Sequence, residues 1–277
     1  MTHPRPPEPP APRVLRVALV QHQRNRRDSR DNEDRMHRVL ESITGADVVL
    51  LPENWRGLAP LDPPELDAHL ALWGEFAKKQ QYTLITGGTF VRARGRVQDI
   101  CHVIGPDGLV AGETDKVFPS EPVGERAYLS RGRRVPVFRA AGVTFGVLIC
   151  IDMMYPELAR SLAQRGAEVL FNPSNIPLNR VGLWHSLIQT RAAENTCFVV
   201  FSTNTGTTYP DARRVLGHSA AAAPYGALCF EAGPEPGIYT LELDLALACG
   251  LRARWPYLKD IEDVADFNGD SVAFKSE

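Results

Sequence analysis

A cysteine at the end of an apolar strand offers the most specific chemistry in this sequence. Residues 143–149 are mostly apolar and run directly into Cys150, and Pro156, a residue that the first turn of a helix tolerates, follows shortly after. A side chain at such a strand-to-helix turn projects beyond the sheet, and the next backbone N–H groups, beginning with that of Ile151, point toward the same space. A thiolate and a developing oxyanion would both be stabilised there. The pattern therefore indicates a nucleophilic cysteine, although cysteines beside apolar strands are more often packing residues.

Two charged residues follow strand-like segments and could take part in the chemistry of this cysteine. Glu53 comes directly after the run Leu50-Leu-Pro, at the carboxyl end of a strand, where α/β sheets commonly place chemistry. A partly buried carboxylate at such a position is a suitable base for a thiol and then for water. Lys116 follows a predicted hairpin and could pair with Glu53 and stabilise an oxyanion. Taken singly, each is more often a solvated residue, and Glu125 alone indicates little.

Alternating strand-like and helix-like segments would position these residues. The periodicity predicts strands at residues 14–20, 46–51, 82–90, 143–149, 167–171, 197–202, 226–230 and 237–243, with a hairpin at 97–113. It predicts helices at residues 32–43, from about 63 to 80, from 156 onward and from about 182 to 195. This alternation favours one α/β domain over residues 14–265, with two stacked mixed sheets between helix layers. The proline-rich residues 1–13 are predicted to form a flexible leader, and residues 266–277 a tail.

The composition narrows the classes of function. The 277 residues carry a formal net charge of −2, so no basic excess is available to bind nucleic acid. The charged run 24–38 is interpreted as a solvated loop and helix face. No apolar run approaches the length of about 18 residues that a membrane span needs, and no signal peptide precedes the first strand. The five widely spaced cysteines favour a reducing cytoplasm over a disulfide scaffold or a zinc ribbon.

Together the motifs resemble those of the nitrilase superfamily, also called the carbon–nitrogen hydrolases, over about residues 14–243. The three marks occur in the family's order, and they are Leu50-Leu-Pro-Glu53, Asp115-Lys116 and Ile149-Cys150-Ile-Asp152. Supporting matches are Gln21, Tyr155-Pro156-Glu157, Asn172-Pro-Ser174, Trp184, Arg191-Ala-Ala-Glu194-Asn195 and Gly217-His-Ser219. Any one motif is weak, whereas three in register are specific.

The resemblance implies a fold, a site and a reaction. The fold would be a four-layer αββα sandwich, usually assembled as a homodimer or a larger homo-oligomer. Cys150 would be the nucleophile, Glu53 the general base and Lys116 the oxyanion stabiliser, while Glu125 would orient Lys116 and the substrate amino group. Attack on an amide or carbamoyl carbon would release ammonia or an amine, and water would then hydrolyse the thioester. The resemblance implies no metal and no organic cofactor.

Departures from the family pattern bear on the substrate. Phe118 stands where many members carry a histidine two places after the lysine, which suggests an apolar wall. Ile151-Asp152 differs from the pair that follows the cysteine in enzymes acting on nitriles. Met153-Met154 occupies a stretch in which carboxylate-binding branches often place arginine, so we expect a linear, mostly neutral amide or N-carbamoyl amine. Arg180 could restore an anion contact but is more often a surface residue. The predicted substrate-binding residues are Phe118, Ile151, Met154, Asn175 and Trp184.

Two other functions stay open at this point. His185 or His218 could form a cysteine-protease dyad with Cys150, although no protease signature surrounds the cysteine. From a different class, the chain could be a nitrilase-fold interaction module or the ammonia-supplying subunit of a partner enzyme. An interaction module would tend to lose Glu53, Lys116 or Cys150, and this chain keeps all three.

Overall fold

The strands and helices of residues 13–93 and 95–263, the parts of the chain that the computed structural model describes, alternate as predicted. The strands are β1 (Val14–Gln21), β2 (Val48–Leu50), β3 (Thr83–Ile85), β4 (Thr89–Ala93), β5 (Arg96–Ile104), β6 (Val110–Asp115), β7 (Val137–Ala140), β8 (Val143–Val147), β9 (Val169–Ser174), β10 (Phe198–Thr203), β11 (Thr207–Thr208), β12 (Arg214–Val215), β13 (Ala220–Ala222), β14 (Leu228–Glu231) and β15 (Gly237–Asp244). The α-helices are α1 (Ser29–Ser42), α2 (Pro63–Gln80), α3 (Pro156–Gln164), α4 (Val181–Asn195), α5 (Leu245–Arg254) and α6 (Tyr257–Asp263).

The strands form two large mixed sheets. The first sheet has the order β15-β1-β2-β3-β5-β4, with β6 paired to β5, and β1, β2 and β3 run parallel at its centre. The second has the order β14-β13-β10-β9-β8-β7, with β8, β9 and β10 parallel. Strands β11 and β12 form a separate hairpin. Parallel central strands bring several carboxyl ends to one edge of each sheet, where a site can be assembled.

The two sheets pack face to face, and helices cover their outer faces. In β1 the side chains alternate: Val17 and Leu19 pack against the second sheet, whereas Ala18 and Val20 pack against α1 and α2. The hydroxyl of Ser202 on β10 donates to the carbonyl oxygen of Val20 at 2.6 Å and so bridges the sheets. Helices α3 and α4 cover the second sheet through Leu162, Ile188 and Ala192. The predicted αββα sandwich is therefore confirmed.

Two of the corrections to the predicted element boundaries bear on the site. The strand predicted at residues 82–90 is two strands, because the chain turns at residues 86–88. Gly87 has a φ of +74° there, and a Cβ at this position would lie 2.1 Å from the carbonyl oxygen of Pro52. The strand predicted at residues 143–149 ends at Val147, and Cys150 begins a short 3₁₀ helix, Cys150–Met154, before α3.

Several elements carried no clear periodic signal. Strands β7 and β13 are short, and α5 and α6 lie in a stretch for which no helix was predicted. Residues 1–12 of the predicted leader and the predicted tail at 266–277 lie outside the described residues. Within the described part of the chain, each helix is too short or too polar to cross a bilayer.

Candidate active site

Glu53, Lys116 and Glu125 meet in a buried group that we call the ion cluster. Glu53 follows β2, Lys116 follows β6, and Glu125 begins a short 3₁₀ helix, Glu125–Ala127. The Nζ atom of Lys116 lies 2.7 Å from Oε1 of Glu53 and 2.7 Å from Oε2 of Glu125. The lysine side chain is only 1% exposed. Removal of either glutamate would leave this buried ammonium undercompensated, which is strongly unfavourable.

Cys150 lies in a constrained turn at the end of the second sheet. Its φ is +47°, in the left-handed region that residues with a Cβ rarely adopt. The side-chain amide of Asn172 donates to the carbonyl oxygens of Leu148, at 2.6 Å, and Cys150, at 3.2 Å. The indole N–H of Trp184 in turn donates to Oδ1 of Asn172 at 3.2 Å. Buried hydrogen bonds thus hold a strained backbone, as expected where a strand-to-helix turn presents a nucleophile.

Burial and neighbouring charges set the protonation states of Cys150 and Lys116. Burial raises the pKa of the Cys150 thiol well above its usual value, and the charge of Glu53 acts in the same direction, whereas Lys116 opposes both. Burial alone would lower the pKa of Lys116, but Glu53, Cys150 and two further carboxylates outweigh it and raise that pKa well above its usual value. The lysine is therefore an ammonium at neutral pH, and the resting thiol keeps its proton. A thiol in this state needs a base when it attacks.

The carboxyl group of Asp99 on β5 approaches the same ammonium and was not identified from the sequence. Its Oδ2 lies 3.6 Å from Nζ of Lys116, and the side chain is 1% exposed. Neither carboxyl oxygen has a hydrogen-bond partner among the described residues. Burial raises the pKa of Asp99 well above its usual range; Lys116 opposes this, and Glu53 and Glu125 reinforce it. Asp99 therefore favours its neutral, protonated form.

Gly88 allows these acids to approach one another. A Cβ at this position would lie 2.5 Å from Oδ1 of Asp99 and 3.1 Å from Cγ of Glu53. It would also lie 3.1 Å from a methyl carbon of Ile149, just before the cysteine turn. A side chain at residue 88 would therefore displace the carboxyl group of Asp99 and crowd the side chain of Glu53.

Asp152 links the lysine segment to the cysteine segment. Its two carboxyl oxygens accept hydrogen bonds from the backbone N–H groups of Val117, at 2.9 Å, and Phe118, at 3.0 Å. The side chain is fully buried, and this burial raises its pKa to about 7 against the effect of the two hydrogen bonds. Asp152, which follows Ile151 in the sequence motif, thus fixes the chain after β6 relative to the chain after β8.

A cavity of about 360 Å³ opens beside the ion cluster. Glu53, Glu125 and Asn175 line it, and the same three residues act on the pKa of the Cys150 thiol: Glu53 and Glu125 raise it, and the backbone N–H of Asn175 lowers it. Its walls combine apolar surface with polar groups, as is usual for small-molecule sites. The cavity residues that the sequence did not reveal include Arg24, Arg26, Tyr128, Tyr209 and Arg213. Arg24 is 5% exposed, so the interpretation of the charged run 24–38 as solvated is wrong for this residue.

The predicted substrate-binding residues occupy different places. Asn175 lines the cavity beside Glu53. Phe118 lines a separate, wider cleft, and Trp184 is 3% exposed and belongs to the core. Ile151 packs against the same core, and Met154 is 37% exposed, with its carbonyl oxygen bound by Arg191. Contact of these residues with a substrate stays a prediction.

The two histidines considered for a protease dyad make other contacts. Nε2 of His185 lies 3.0 Å from the carbonyl oxygen of His218, and Nδ1 of His218 lies 3.4 Å from Glu231. Besides burial, the charges of Glu53 and Lys116 have the largest effects on the pKa of the Cys150 thiol, Glu53 raising it and Lys116 lowering it. The thiol is thus grouped with a glutamate and a lysine.

Comparison with known proteins identifies the family. A family model described as carbon–nitrogen hydrolase matches residues 16–253. The chain is 35% identical to the 2-oxoglutaramate amidase of Bacillus subtilis (strain 168) over 222 residues, which cover 78% of this chain and 85% of that protein. It is 30% identical to the omega-amidase NIT2 of Mus musculus over 233 residues, which cover 78% and 83% of the two proteins. Its fold matches the crystal structure of a carbon–nitrogen hydrolase from Helicobacter pylori G27, with a TM-score of 0.81, 21% sequence identity, and coverage of 92% of this chain and 99% of that one.

This chain belongs to the carbon–nitrogen hydrolase family of the nitrilase superfamily. The predictions of that superfamily and of an amidase-type carbon–nitrogen hydrolase with a cysteine nucleophile are therefore confirmed.

Proposed function

We propose that this enzyme hydrolyses the terminal amide of a small molecule through Cys150, with Glu53 as general base and Lys116 as oxyanion stabiliser. The observation that carries the proposal is the contact of one buried ammonium with two buried carboxylates, at 2.7 Å each, beside a cysteine held in a left-handed turn. The amidase relatives support the same reaction class. Ammonia leaves from a primary amide, and an amine leaves from a substituted one.

The first step forms a thioester. Glu53 takes the thiol proton as the sulfur of Cys150 attacks the carbonyl carbon, and the carbonyl π electrons move to oxygen. The Lys116 ammonium and the backbone N–H of Ile151 stabilise the oxyanion. When the oxyanion collapses, the C–N bond breaks, and the leaving nitrogen takes the proton held by Glu53. Because the resting thiol is neutral, this step depends on a base next to the sulfur.

The second step returns the enzyme to its resting state. Glu53, again a carboxylate, takes a proton from water as the water oxygen attacks the thioester carbon. The second oxyanion collapses, the C–S bond breaks, and the thiolate of Cys150 recovers the proton from Glu53. The carboxylic acid product leaves the cavity.

Glu125 is proposed to orient Lys116 rather than to exchange protons with the substrate carbonyl. One of its oxygens accepts from the backbone N–H of Ser120 at 2.6 Å, and the side chain contacts Nζ of Lys116. This double attachment fixes the direction of the ammonium. Since Glu125 also lines the cavity, it can accept a hydrogen bond from the substrate amino group.

The assembly and location of the enzyme are further parts of the proposal. We propose a homodimer or larger homo-oligomer that acts in the cytoplasm on a small molecule, without nucleic acid or membrane partners. The buried free thiols of Cys101, Cys150 and Cys197 support a reducing compartment. Light scattering coupled to size-exclusion chromatography measures the assembly directly.

A panel of primary amides and N-carbamoyl amines, scored for released ammonia, tests the proposal. We expect Cys150→Ala to lower kcat by at least roughly 10³-fold, because the covalent intermediate can no longer form. Cys249→Ala changes a free cysteine that is exposed on α5 and is the matched control, with unchanged activity expected. Mass spectrometry of the wild type under turnover should show an acyl adduct on Cys150.

Two outcomes would contradict the proposal. Equal hydrolysis by the wild type and Cys150→Ala would show that the nucleophile lies elsewhere. A folded wild type that releases no ammonia from any member of the panel would favour the interaction-module alternative.

A further inference from the structure

Exposed apolar side chains surround the mouth of the cavity beside the ion cluster. Leu58 is 47% exposed and Tyr128 is 49% exposed, and both line this cavity. Pro122, Val123 and Pro210 line it as well. We call these five residues the apolar rim. Exposed apolar side chains that gather at a cavity commonly mark a place where a ligand binds.

Three of the five rim residues lie within three positions of Glu125 in the chain. Residues 121–123 and 125–127 form two consecutive 3₁₀ helices, joined by Gly124, whose φ is +74°. The backbone N–H of Tyr128 donates to the carbonyl oxygen of Glu125 at 3.0 Å and so ends the second of these helices. This part of the rim is therefore fixed relative to the carboxylate of Glu125.

The core of the first sheet supports the ring of Tyr128. Phe90 on β4 is 1% exposed, and its ring lies edge-to-face against the Tyr128 ring, with the two centroids 6.0 Å apart. One side of the tyrosine ring thus packs on the sheet, while about half of the side chain stays exposed at the cavity. A ring held in this way loses little conformational freedom when a ligand packs against it.

The ion cluster gives a bound amide a direction. In the proposed reaction the carbonyl carbon lies at Cys150, the developing oxyanion at Lys116 and the amide nitrogen at Glu125. A substituent on that nitrogen would leave the ion cluster on the side of Glu125. The rim residues of the Glu125 segment lie on this side, so the substituent would pack against them.

The charges on this side of the cavity favour an apolar substituent. Among the described residues 122–128 that line the cavity, Glu125 alone is charged, and its carboxylate is paired with Lys116 at 2.7 Å. An apolar group placed here would therefore desolvate no unpaired charge. Its contact with the rim would remove apolar surface of both partners from water, which is favourable.

We propose that the apolar rim binds an apolar substituent on the amide nitrogen, so that the substrates are N-substituted amides and one product is an apolar amine. This inference rests on the proposed amide hydrolysis and adds its leaving group. As the C–N bond breaks, the leaving nitrogen takes the proton held by Glu53 and departs as a neutral amine. The acyl group stays on the sulfur of Cys150 until water hydrolyses the thioester.

Two isomeric amides test on which side of the amide the rim acts. N-benzylacetamide carries its phenyl ring on the nitrogen, whereas 3-phenylpropionamide carries it on the acyl chain. Each is compared with a reference that lacks the ring, N-methylacetamide for the first and propionamide for the second. We expect the ring to raise kcat/KM by about tenfold in the first pair and by less than about twofold in the second, because only the first ring contacts the rim.

Variants of the rim test which residues carry this gain. Tyr128→Ser and Leu58→Ser should each lower the ratio of kcat/KM for N-benzylacetamide to that for N-methylacetamide by about three- to tenfold, mainly through KM. Tyr225→Ser and Leu72→Ser are the matched controls and should leave this ratio unchanged, because these side chains are 54% and 41% exposed and lie outside this cavity. Since Tyr128 contacts the buried Phe90, thermal unfolding is recorded first. Leu58 lies in a loop and supplies the second, independent variant.

Two outcomes would overturn the inference while the hydrolase stands. In the first, 3-phenylpropionamide gains from its ring and Tyr128→Ser removes that gain, so that the rim faces the acyl group. In the second, Leu58→Ser changes the assembly seen by light scattering but not the ratio, so that the rim is a contact between copies of the chain.

A binding measurement separates this inference from the proposed hydrolysis. If no amide is hydrolysed, the hydrolase fails, and calorimetry with Cys150→Ala then tests the rim without turnover. Binding of N-benzylacetamide about fivefold tighter than that of N-methylacetamide, lost when Tyr128→Ser is added, would support the rim. Equal binding of the two amides would overturn it.

Discussion

The ion cluster and the apolar rim border the same cavity, but different kinds of chain segment build them. Glu53, Lys116 and Cys150 each follow a strand of one of the two packed sheets. In the rim, Leu58 lies in the loop before α2, and Pro210 lies between β11 and β12. Strand ends in a packed core hold side chains to within a fraction of an ångström, whereas loops tolerate substitution and insertion. The difference teaches that reaction and specificity can change separately in this molecule.

The largest effect is expected at the ion cluster. Glu53→Gln should lower kcat by roughly 10²- to 10⁴-fold, because the base is lost. The same change should lower the pKa of the Cys150 thiol, since it removes a negative charge that raises this pKa and leaves Lys116 in place. Ammonia release measures the first effect. The ultraviolet absorbance of the thiolate, titrated from about pH 6 to about pH 10 against Cys150→Ala, measures the second.

The two effects together make the result decisive, because a lower thiol pKa by itself would favour the reactive thiolate. A less active enzyme with an unchanged or higher thiol pKa would mean that Glu53 does not act on the sulfur. The strict division between the cluster and the rim would then fail at its most important residue.

An intermediate effect is expected at Asp99, which lies beside the cluster but favours its neutral form. Asp99→Asn replaces a protonated acid with a neutral amide of similar shape, so kcat should fall by less than about tenfold. A raised pKa in the folded protein gives stability at low pH that is lost as the pH rises through that pKa. The amide does not ionise. The unfolding free energy of the variant should therefore increase relative to the wild type between about pH 5 and about pH 8.

Urea unfolding at both pH values, together with ammonia release, checks this prediction. A loss of kcat as large as that of Glu53→Gln would show that Asp99 carries a negative charge that the reaction requires. The cluster would then contain three ionised carboxylates around one ammonium.

The smallest effect is expected at a charged residue on the hairpin that carries the outer part of the rim. Arg213 pairs with the exposed Asp211 at 2.8 Å. Because N-benzylacetamide offers no charge to this guanidinium, Arg213→Gln should change its KM by less than about twofold, leave kcat unchanged and alter the unfolding free energy by less than about 0.5 kcal/mol. Steady-state kinetics and thermal unfolding test both parts. A lower kcat with an unchanged KM would show that the β11–β12 hairpin takes part in the chemical steps.

Much of the fold could be predicted because the signals were local. The apolar runs of β1, β9 and β10 predicted strands, and the helical spacing predicted α1, α2 and α4. The break between β3 and β4 could not be predicted in this way, since it depends on the packing of Gly87 against Pro52, far away in the chain. Strands as short as β13 contain too few residues for periodicity to appear.

The same limit explains which site residues the sequence revealed. Glu53, Lys116 and Cys150 stand in recognisable motifs directly after strands. Asp99 lies within an ordinary strand, and only the pairing of β5 with β6 brings it near Lys116. Arg24 had no local signal at all, because a charged loop residue has the same pattern whether it is buried or solvated.

Gly88 sets a boundary for any redesign of this enzyme. A hydrogen in place of a side chain leaves the room in which the carboxyl groups of Glu53 and Asp99 both approach Lys116, and even a methyl group would fill that room. Substitutions of Gly88 are therefore not expected to give activity toward new amides. Substitutions in the loop before α1 and around the β11–β12 hairpin are better suited to this aim, because new side chains there can reshape the entrance while the reacting groups stay in place.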